Sequence, residues 1–188
     1  MPIKFNIATI LPYKENYTVD GAQAAAIWVA DFYKYSTFKK TNSIYGNTIK
    51  KNYLTKNYTN INITGLNKIL SSSTNEYCKN FIKKIDGKNF DLIEIHNRPH
   101  VFNYLKNKII SKYILYIHND PLSMSGSKTI KERLNLLNTV DKIIFVSEWV
   151  QLRFFKDIDH KLINQTEIIY PSIHKDKKIY KKNKNIIF

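Results

Sequence analysis

Short apolar runs alternate with longer amphipathic stretches along most of the chain. The runs predict strands over residues 4–11, 43–46, 61–65, 91–96, 112–118, 142–146 and 167–170. Between them, apolar residues recur at helical spacing over residues 21–35, 71–85, 99–109, 128–138 and 148–155. Strands that alternate with helices in this way are typical of βαβ units. The pattern therefore predicts an α/β domain built on a largely parallel sheet.

Three of the predicted helices begin with residues that favour a helix N-terminus. Asp20 precedes the first helix, where its carboxylate could accept hydrogen bonds from free N–H groups. Pro99 opens the third helix, at a position where its missing N–H is not needed. Ser147 stands before the last predicted helix and outside any G-x-S-x-G motif, so we interpret it as a helix cap rather than a nucleophile.

The composition is that of a globular domain. The 188 residues are 43% hydrophobic and 13% aromatic, which excludes disorder caused by low hydrophobicity. Cys78 is the only cysteine, so an intramolecular disulfide is excluded and a reducing compartment is expected. Its place on an amphipathic stretch indicates a core residue rather than a nucleophile. No apolar run reaches the roughly 18 residues of a membrane span, and we expect no cleaved signal peptide.

The formal net charge of +15 would ordinarily point to a nucleic acid. However, Arg98, Arg133 and Arg153 are the only arginines, and the remaining basic residues are lysines that accompany many Ile and Asn residues. These are the amino acids of AT-rich codons, so codon bias explains the excess without a ligand. Nucleic-acid interfaces also favour arginine. We therefore rank nucleic-acid binding below association with an anionic membrane surface.

Two consecutive predicted strands end in the same pattern, His-Asn-x-Pro. The first is followed by His96-Asn97-Arg98-Pro99 and the second by His118-Asn119-Asp120-Pro121. Ligands of open parallel sheets bind beyond the carboxyl ends of the strands, so both histidines and their polar neighbours are expected to face one cleft. The alternative is that each histidine is a strand-end residue whose hydrogen bonds are made by loop carbonyls.

Other kinds of site are disfavoured by the sequence. No G-x-G-x-x-G motif follows the first strand, and no P-loop motif is present. His96, His100, His118 and Asp120 form the only plausible metal-ligand cluster, but the asparagine beside each strand-end histidine suits a polyol better. Gly21 stands at the start of the first predicted helix, where a phosphate could approach backbone N–H groups. Together these residues favour a ligand that carries phosphate and sugar hydroxyls.

At these residues the chain resembles the N-terminal domain of a retaining glycosyltransferase of the GT-B fold, family 4. The resemblance lies in the order and spacing of "IATILP", the helix that opens at Gly21, "DLIEIHNRP", "YILYIHNDP", "DKIIFVSEWV" and "IIYPSIH". It covers nearly the whole chain and is weakest over residues 36–73. It implies one half of a GT-B architecture, a Rossmann-like, open, mostly parallel sheet with helices on both faces.

The resemblance also implies an activity and a set of site residues. A sugar would move from a nucleotide-sugar co-substrate to a glycan or lipid-linked acceptor, with retention and without a metal ion, in cell-envelope polysaccharide or glycolipid synthesis. His118 matches the catalytic histidine and would position the donor sugar and stabilise developing charge. Gly21 would lie by the donor phosphates, and Asn97, Arg98, Asn119 and Asp120 would contact sugar. The location implied is the cytoplasm, or peripherally the inner face of the cell membrane.

The resemblance divides the chain into a domain over residues 1–173 and a basic linker over residues 174–188 that leads into a second domain. In the family, that second domain binds the nucleotide-sugar, and its Glu-x7-Glu pattern is not found in this sequence. We therefore expect a fragment or truncated gene product that has no transfer activity alone. Two alternatives stay open: a non-catalytic module that binds a glycan or acceptor, and a basic nucleic-acid-binding domain.

Overall fold

A computed structural model describes residues 5–48, 51–63 and 72–171 of the chain. Its strands are β1 (Ile7–Ile10), β2 (Asn42–Gly46), β3 (Tyr58–Asn60), β4 (Leu92–His96), β5 (Lys112–Ile117), β6 (Lys142–Phe145) and β7 (Thr166–Ile168). Its α-helices are α1 (Ala24–Tyr35), α2 (Ser73–Lys84), α3 (Pro99–Leu105), α4 (Ile130–Thr139) and α5 (Glu148–Phe154). Two 3₁₀ helices, Pro121–Ser123 and His160–Gln165, follow β5 and α5.

The seven strands form one sheet in the order β3-β2-β1-β4-β5-β6-β7, and every neighbouring pair is parallel. Strand order therefore reverses between β1 and β4, where Ile7 pairs with Leu92 and Ile10 with Ile95. In sheets of this kind the crevice beyond the carboxyl ends of the strands at such a switch point is the usual ligand site. This confirms the predicted α/β class and its open parallel sheet.

The helices cover the two faces of the sheet unequally. Alternate strand residues such as Ile93, Leu115 and Phe145 belong to the larger core, which also contains side chains of α2, α3, α4 and α5. The opposite face carries a smaller core in which Trp28 and Val29 of α1 are packed. That face also bears the polar residues Thr9, Glu94 and His96, because side chains two residues apart in a strand point the same way.

Several predicted elements require correction. The strand expected over residues 61–65 is instead β3 at Tyr58–Asn60, and residues 64 and 65 lie outside the described part of the chain. Asp20 does not cap α1, which begins at Ala24 after Gln23 without a side-chain cap. The reason is the length of the β1–α1 loop, whose Glu15 carboxylate reaches the first turn of the helix instead.

Two other predicted features are confirmed, the cap on α5 and the burial of Cys78. The Oγ atom of Ser147 accepts from the N–H of Val150 at 3.3 Å, as expected of a cap on α5. Cys78 is buried in the larger core, and this burial raises the pKa of its thiol to about 12. Among the helices of the described residues, none is both long and apolar enough to cross a membrane. The predicted linker over residues 174–188 falls outside the described residues.

Candidate functional site

Loops that follow the strands of the parallel sheet meet at its carboxyl edge. Residues 11–23 follow β1, Asn97 and Arg98 follow β4, and His118 to Asp120 follow β5. A cleft of about 500 Å³ opens there, within the size range of small-molecule sites. Its lining is polar and basic: Tyr13, Lys14, Ser72, Thr74, Arg98, His100, Asn119, Ser123, Met124 and Ser125. A cleft therefore lies at the carboxyl edge, but of the residues of the two His-Asn-x-Pro patterns only Arg98 and Asn119 line it.

Arg98 and Asn119 are the two predicted sugar-binding residues that line the cleft. Arg98 is held by a hydrogen bond from Nη1 to the backbone oxygen of Asn97, 2.7 Å away. Asn119 donates its backbone N–H to the side chain of Asn97 at 3.1 Å and has an exposed side chain. Both side chains thus stand on a fixed backbone while remaining accessible to a ligand.

Asn97 connects the ends of the two strands. Its Oδ1 accepts the backbone N–H groups of His118 and Asn119 at 2.7 and 3.1 Å, and the residue is 4% exposed. Its φ of 53° lies in the left-handed region, which asparagine tolerates better than most residues. Because Oδ1 is already occupied, a sugar contact by this residue would have to use its amide nitrogen. Its observed contacts hold the loop after β5 in position, and its predicted contact with sugar stays a prediction.

His96 and His118 form a direct hydrogen bond. Nδ1 of His96 lies 2.9 Å from Nε2 of His118, and the ring of His96 stacks on Tyr116 with a centroid distance of 4.5 Å. The Trp28 ring packs on both histidines, each with a centroid distance of 5.4 Å. The pair lies on the face of the sheet covered by α1, and neither histidine is among the residues that line the cleft. The structure therefore brings the two histidines together, but it corrects the prediction that both face the cleft, because they pack under Trp28 of α1 instead.

Both histidines are neutral near pH 7. Burial lowers the pKa of His118 to about 4, and burial together with the neighbouring His118 lowers the pKa of His96 well below its usual range. Nε2 of His96 is buried and has no hydrogen-bond partner among the described residues. An N–H at that atom would be an orphaned donor, so we assign the shared proton to Nδ1 of His96, with Nε2 of His118 accepting. His118 then carries its own proton on Nδ1 and can donate one hydrogen bond from it.

A partly buried carboxylate lies on the same face of the sheet. Glu94 accepts a hydrogen bond from Thr9 at 2.6 Å and one from the Tyr116 hydroxyl at 3.5 Å. Burial raises the pKa of Glu94, against the opposing effect of these two hydrogen bonds. A smaller cavity of about 180 Å³ is lined by Glu94, His96 and Trp28, among others. This row of polar residues was not predicted, although a glutamate inside the apolar run "DLIEIH" was a signal of it.

Asp120 is directed toward α5. Its carboxylate makes an ion pair with Arg153, with Nη2 and Oδ2 2.9 Å apart, and accepts from the N–H of Leu122 at 3.0 Å. The Arg153 hydrogen bond is the main reason that the pKa of Asp120 is lowered. Asp120 is not among the residues that line the cleft. It therefore fixes the loop after β5, and its predicted contact with sugar stays a prediction.

The first turn of α1 is occupied by the protein's own carboxylate. Glu15 accepts the N–H of Ala26 at 3.1 Å and also that of Ala25, while burial raises its pKa against these bonds. Gly21 is exposed, and a Cβ at this position would lie 2.8 Å from Nδ2 of Asn16. A donor phosphate at Gly21 would have to share the first turn with Glu15 or displace it. Glu15 was missed because its neighbours in the sequence read as an ordinary polar loop.

The four residues considered as metal ligands do not converge. His96 bonds to His118, whereas the Nε2 of His100 lies 3.1 Å from Oδ1 of Asn75 and Asp120 pairs with Arg153. Within the described residues, no group of three or more His, Cys, Asp or Glu side chains could hold a metal ion. Lys14 and His100, by contrast, line the cleft although neither was predicted to contact sugar or phosphate, because neither belongs to a motif typical of such a site.

Comparison with known proteins supports the fold and leaves the sequence family open. No family model matches the chain, and no curated protein matches it in sequence. Among solved structures, HepE of Anabaena in complex with UDP has a TM-score of 0.56 at 10% identity over 90% of this chain. Sucrose-phosphate synthase of Thermosynechococcus elongatus has a TM-score of 0.57 at 11% identity over 88%. UDP-N-acetylglucosamine 2-epimerase of Rickettsia bellii has a TM-score of 0.50 at 10% identity over 87%.

The chain spans less than half the length of these three structures: 44% of HepE, 48% of the synthase and 44% of the epimerase. At such low identity the similarity concerns the backbone alone. The predicted architecture is thereby confirmed. The chain has the Rossmann-like, all-parallel fold of one half of a GT-B structure.

Proposed function

We propose that this chain is the acceptor-side half of a retaining glycosyltransferase, which transfers a hexose-type sugar from a nucleotide-sugar to a glycan or lipid-linked acceptor. The observation that carries the proposal is the polar cleft at the switch point, into which Arg98 and Asn119 project from adjacent strand ends. The fold is similar to that of HepE, a protein crystallised with UDP, and of sucrose-phosphate synthase. Cell-envelope polysaccharide or glycolipid synthesis is the role we propose for the whole enzyme.

His118 is the proposed catalytic residue. Its neutral ring is fixed by His96 and Trp28, and its Nδ1–H can donate to an oxygen of the donor sugar. Because its pKa is lowered to about 4, this residue would act near neutral pH through the dipole of its N–H group rather than as a cation. A preorganised donor of this kind stabilises charge that develops on an oxygen in the transition state.

The donor nucleotide would be held mainly by a second half of the GT-B architecture, with Gly21 near its phosphates. We propose that residues 1–173 form the acceptor-side domain and that residues 174–188 lead toward the second half. The chain alone is then expected to bind acceptor sugars without transferring any. Cytoplasmic location and peripheral contact with an anionic membrane, through the lysine excess, belong to the same proposal.

Ligand-observed NMR titration of the purified chain with glucose and with UDP-glucose tests this function. We expect saturable glucose binding, a loss of about fivefold in affinity for Asn119→Ala, and no release of UDP from UDP-glucose. Asn138→Ala is the matched control, since Asn138 is exposed at the end of α4, away from the cleft. Equal affinities for both variants, or no saturable sugar binding, would refute an acceptor site in the cleft. UDP release by the chain alone would refute the assignment to half of an enzyme.

A non-catalytic glycan-binding module is the second candidate. It is favoured by the position of His118, which is not among the residues that line the cleft, so a sugar could be held there without this histidine taking part. The two candidates differ when a nucleotide-sugar-binding half is supplied. Sugar transfer that requires both parts and is lost in His118→Ala supports the enzyme, whereas unchanged transfer in that variant excludes His118 as the catalytic residue.

A further inference from the structure

The cleft at the carboxyl edge of the sheet has an unbalanced charge. Lys14 and Arg98 both line it, and His100 adds a third nitrogen base. Among the described residues that line the cleft, none is acidic. A purely neutral sugar would need no such excess, because hydroxyl groups are bound equally well by asparagine, serine and threonine. The lining therefore points to a ligand with negative charge.

Two carboxylates of the loops that follow β1 and β5 are engaged elsewhere. Glu15, the neighbour of Lys14, accepts the N–H groups of Ala25 and Ala26 at the start of α1. The charge of Arg98 lowers the pKa of Glu15, but the two make no ion pair among those found in the described residues. Asp120 is paired with Arg153. Neither cation of the cleft thus has an ion-pair partner within the described part of the chain.

Hydroxyl groups line the same cleft as the two cations. The Oγ of Ser72 accepts the N–H of Asn75 at 3.2 Å, which uses a lone pair and leaves the hydroxyl proton free to donate. Thr74 and Ser125 line the same cleft and make no hydrogen bond from their side chains to another described residue. Hydroxyl donors beside lysine and arginine are the groups that bind phosphate oxygens.

We propose that the cleft recognises an acceptor that carries a phosphate group, bound by Lys14 and Arg98, with the sugar ring directed toward Asn119. This inference rests on the proposed function and names the chemical class of its acceptor. The same phosphate chemistry could come from the diphosphate of the donor. The lining of the cleft argues for the acceptor, because neither Gly21 nor the first turn of α1 lines it.

Isothermal titration of the purified chain with glucose 6-phosphate, glucose and UDP tests the proposal. We expect glucose 6-phosphate to bind about tenfold more tightly than glucose at low salt, and the difference to shrink as salt is raised. Lys14→Gln should remove most of that preference while leaving glucose affinity within twofold. Arg98→Gln should also remove most of the preference, and it should weaken glucose binding as well, because Arg98 is a proposed sugar contact. Arg98→Lys keeps the charge and should retain part of the preference, which separates a charge effect from loss of the bond to Asn97.

Lys108→Gln is the matched control, because it removes the same charge from the segment between α3 and β5, at the opposite edge of the sheet. Equal binding of glucose and glucose 6-phosphate, or an equal effect of Lys108→Gln and Lys14→Gln, would overturn the inference while leaving the proposed function intact. A loss of UDP affinity in Lys14→Gln and Arg98→Gln, with glucose 6-phosphate unaffected, would assign the cleft to the donor. If neither sugar binds, the proposed function fails as well.

Discussion

The Nδ1 atom of His96 and the Nε2 atom of His118 lie 2.9 Å apart, so a hydrogen bond joins the ends of two adjacent strands. Each histidine is the first residue of a His-Asn-x-Pro pattern at the end of its strand. Asn97, the second residue of the first pattern, adds two further hydrogen bonds, from the backbone N–H groups of His118 and Asn119 to its side chain. The repeated His-Asn-x-Pro pattern therefore stabilises the junction of β4 and β5 at the carboxyl edge through these hydrogen bonds. It orients one ring nitrogen of His118 by occupying the other.

Acid should destabilise the protein through His118. Its pKa is about 4 in the folded state and near 6.5 when unfolded, so the unfolded chain binds a proton first as the pH falls. The free energy of unfolding that depends on neutral His118 is therefore fully present above pH 6.5. About 3 kcal/mol of it is lost between about pH 6.5 and 4. Urea unfolding between pH 8 and pH 4 should show that the free energy of unfolding falls less steeply with decreasing pH in His118→Asn than in the wild type. His160→Asn is the control, because His160 is exposed. The same dependence of the free energy of unfolding on pH in His118→Asn and the wild type would contradict the prediction.

Asn97→Ala should destabilise the strand-end junction by about 2–4 kcal/mol. It leaves the backbone N–H groups of His118 and Asn119 without an acceptor and places alanine at a φ of 53°. Asn97→Asp keeps the accepting oxygen and should cost much less, whereas Asn97→Gly relieves only the backbone strain and should fall between the two. Urea denaturation of the three variants checks this order, and an aspartate variant as unstable as the alanine variant would show that the accepting oxygen is not the cause.

The fold could be read from the sequence because β-strands buried on both sides leave continuous apolar runs. "KYILYIH" and "KIIFV" are of this kind, and both were predicted to within two residues. β3 was misplaced because Tyr58–Asn60 has only three residues at the edge of the sheet, where burial imposes little pattern. The start of α1 was misplaced because the residue that satisfies its N–H groups, Glu15, is distant from the helix in sequence.

The candidate site was only partly predictable for a related reason. Strand ends are visible in the sequence, so His96, Asn97 and their counterparts after β5 could be expected at one edge. Which of these residues faces a ligand depends on the direction of its side chain. In the structure Arg98 and Asn119 line the cleft, whereas Asp120 forms an ion pair with Arg153. Lys14 lines the cleft because of the path that the β1–α1 loop takes, and no local sequence pattern predicts that path.

The first turn of α1 offers a test of the role proposed for Gly21. Glu15→Gln removes the negative charge from the N–H groups of Ala25 and Ala26 and should cost about 1 kcal/mol of stability. If a donor phosphate approaches this turn, the same change should raise the affinity for UDP several-fold, because an anionic competitor is gone. Calorimetric titration with UDP provides the measurement. Unchanged UDP affinity in a folded Glu15→Gln variant would remove Gly21 and this turn from the donor site.

Gly126 determines how closely the loop after β5 approaches α3. Its φ is +91°, and a Cβ atom there would lie 2.9 Å from the backbone nitrogen of His100 and 3.2 Å from the carbonyl carbon of Pro99. Gly126→Ala must therefore push the segment with Ser123–Ser125, one wall of the cleft, away from His100. We expect a loss of about 2–4 kcal/mol, the sum of backbone strain and steric overlap.

Gly87→Ala is the control for that substitution. Gly87 has a similar φ of +73°, but no atom lies within 4 Å of the position its Cβ would take. It should cost only the backbone strain, about 1 kcal/mol, and leave ligand binding unchanged. Thermal unfolding of both variants gives the difference in destabilisation that is due to the close approach of Gly126 to His100. Titration with glucose 6-phosphate should show weaker binding for Gly126→Ala alone. If the two variants are equally stable and bind equally well, the contact between Gly126 and His100 does not shape the cleft.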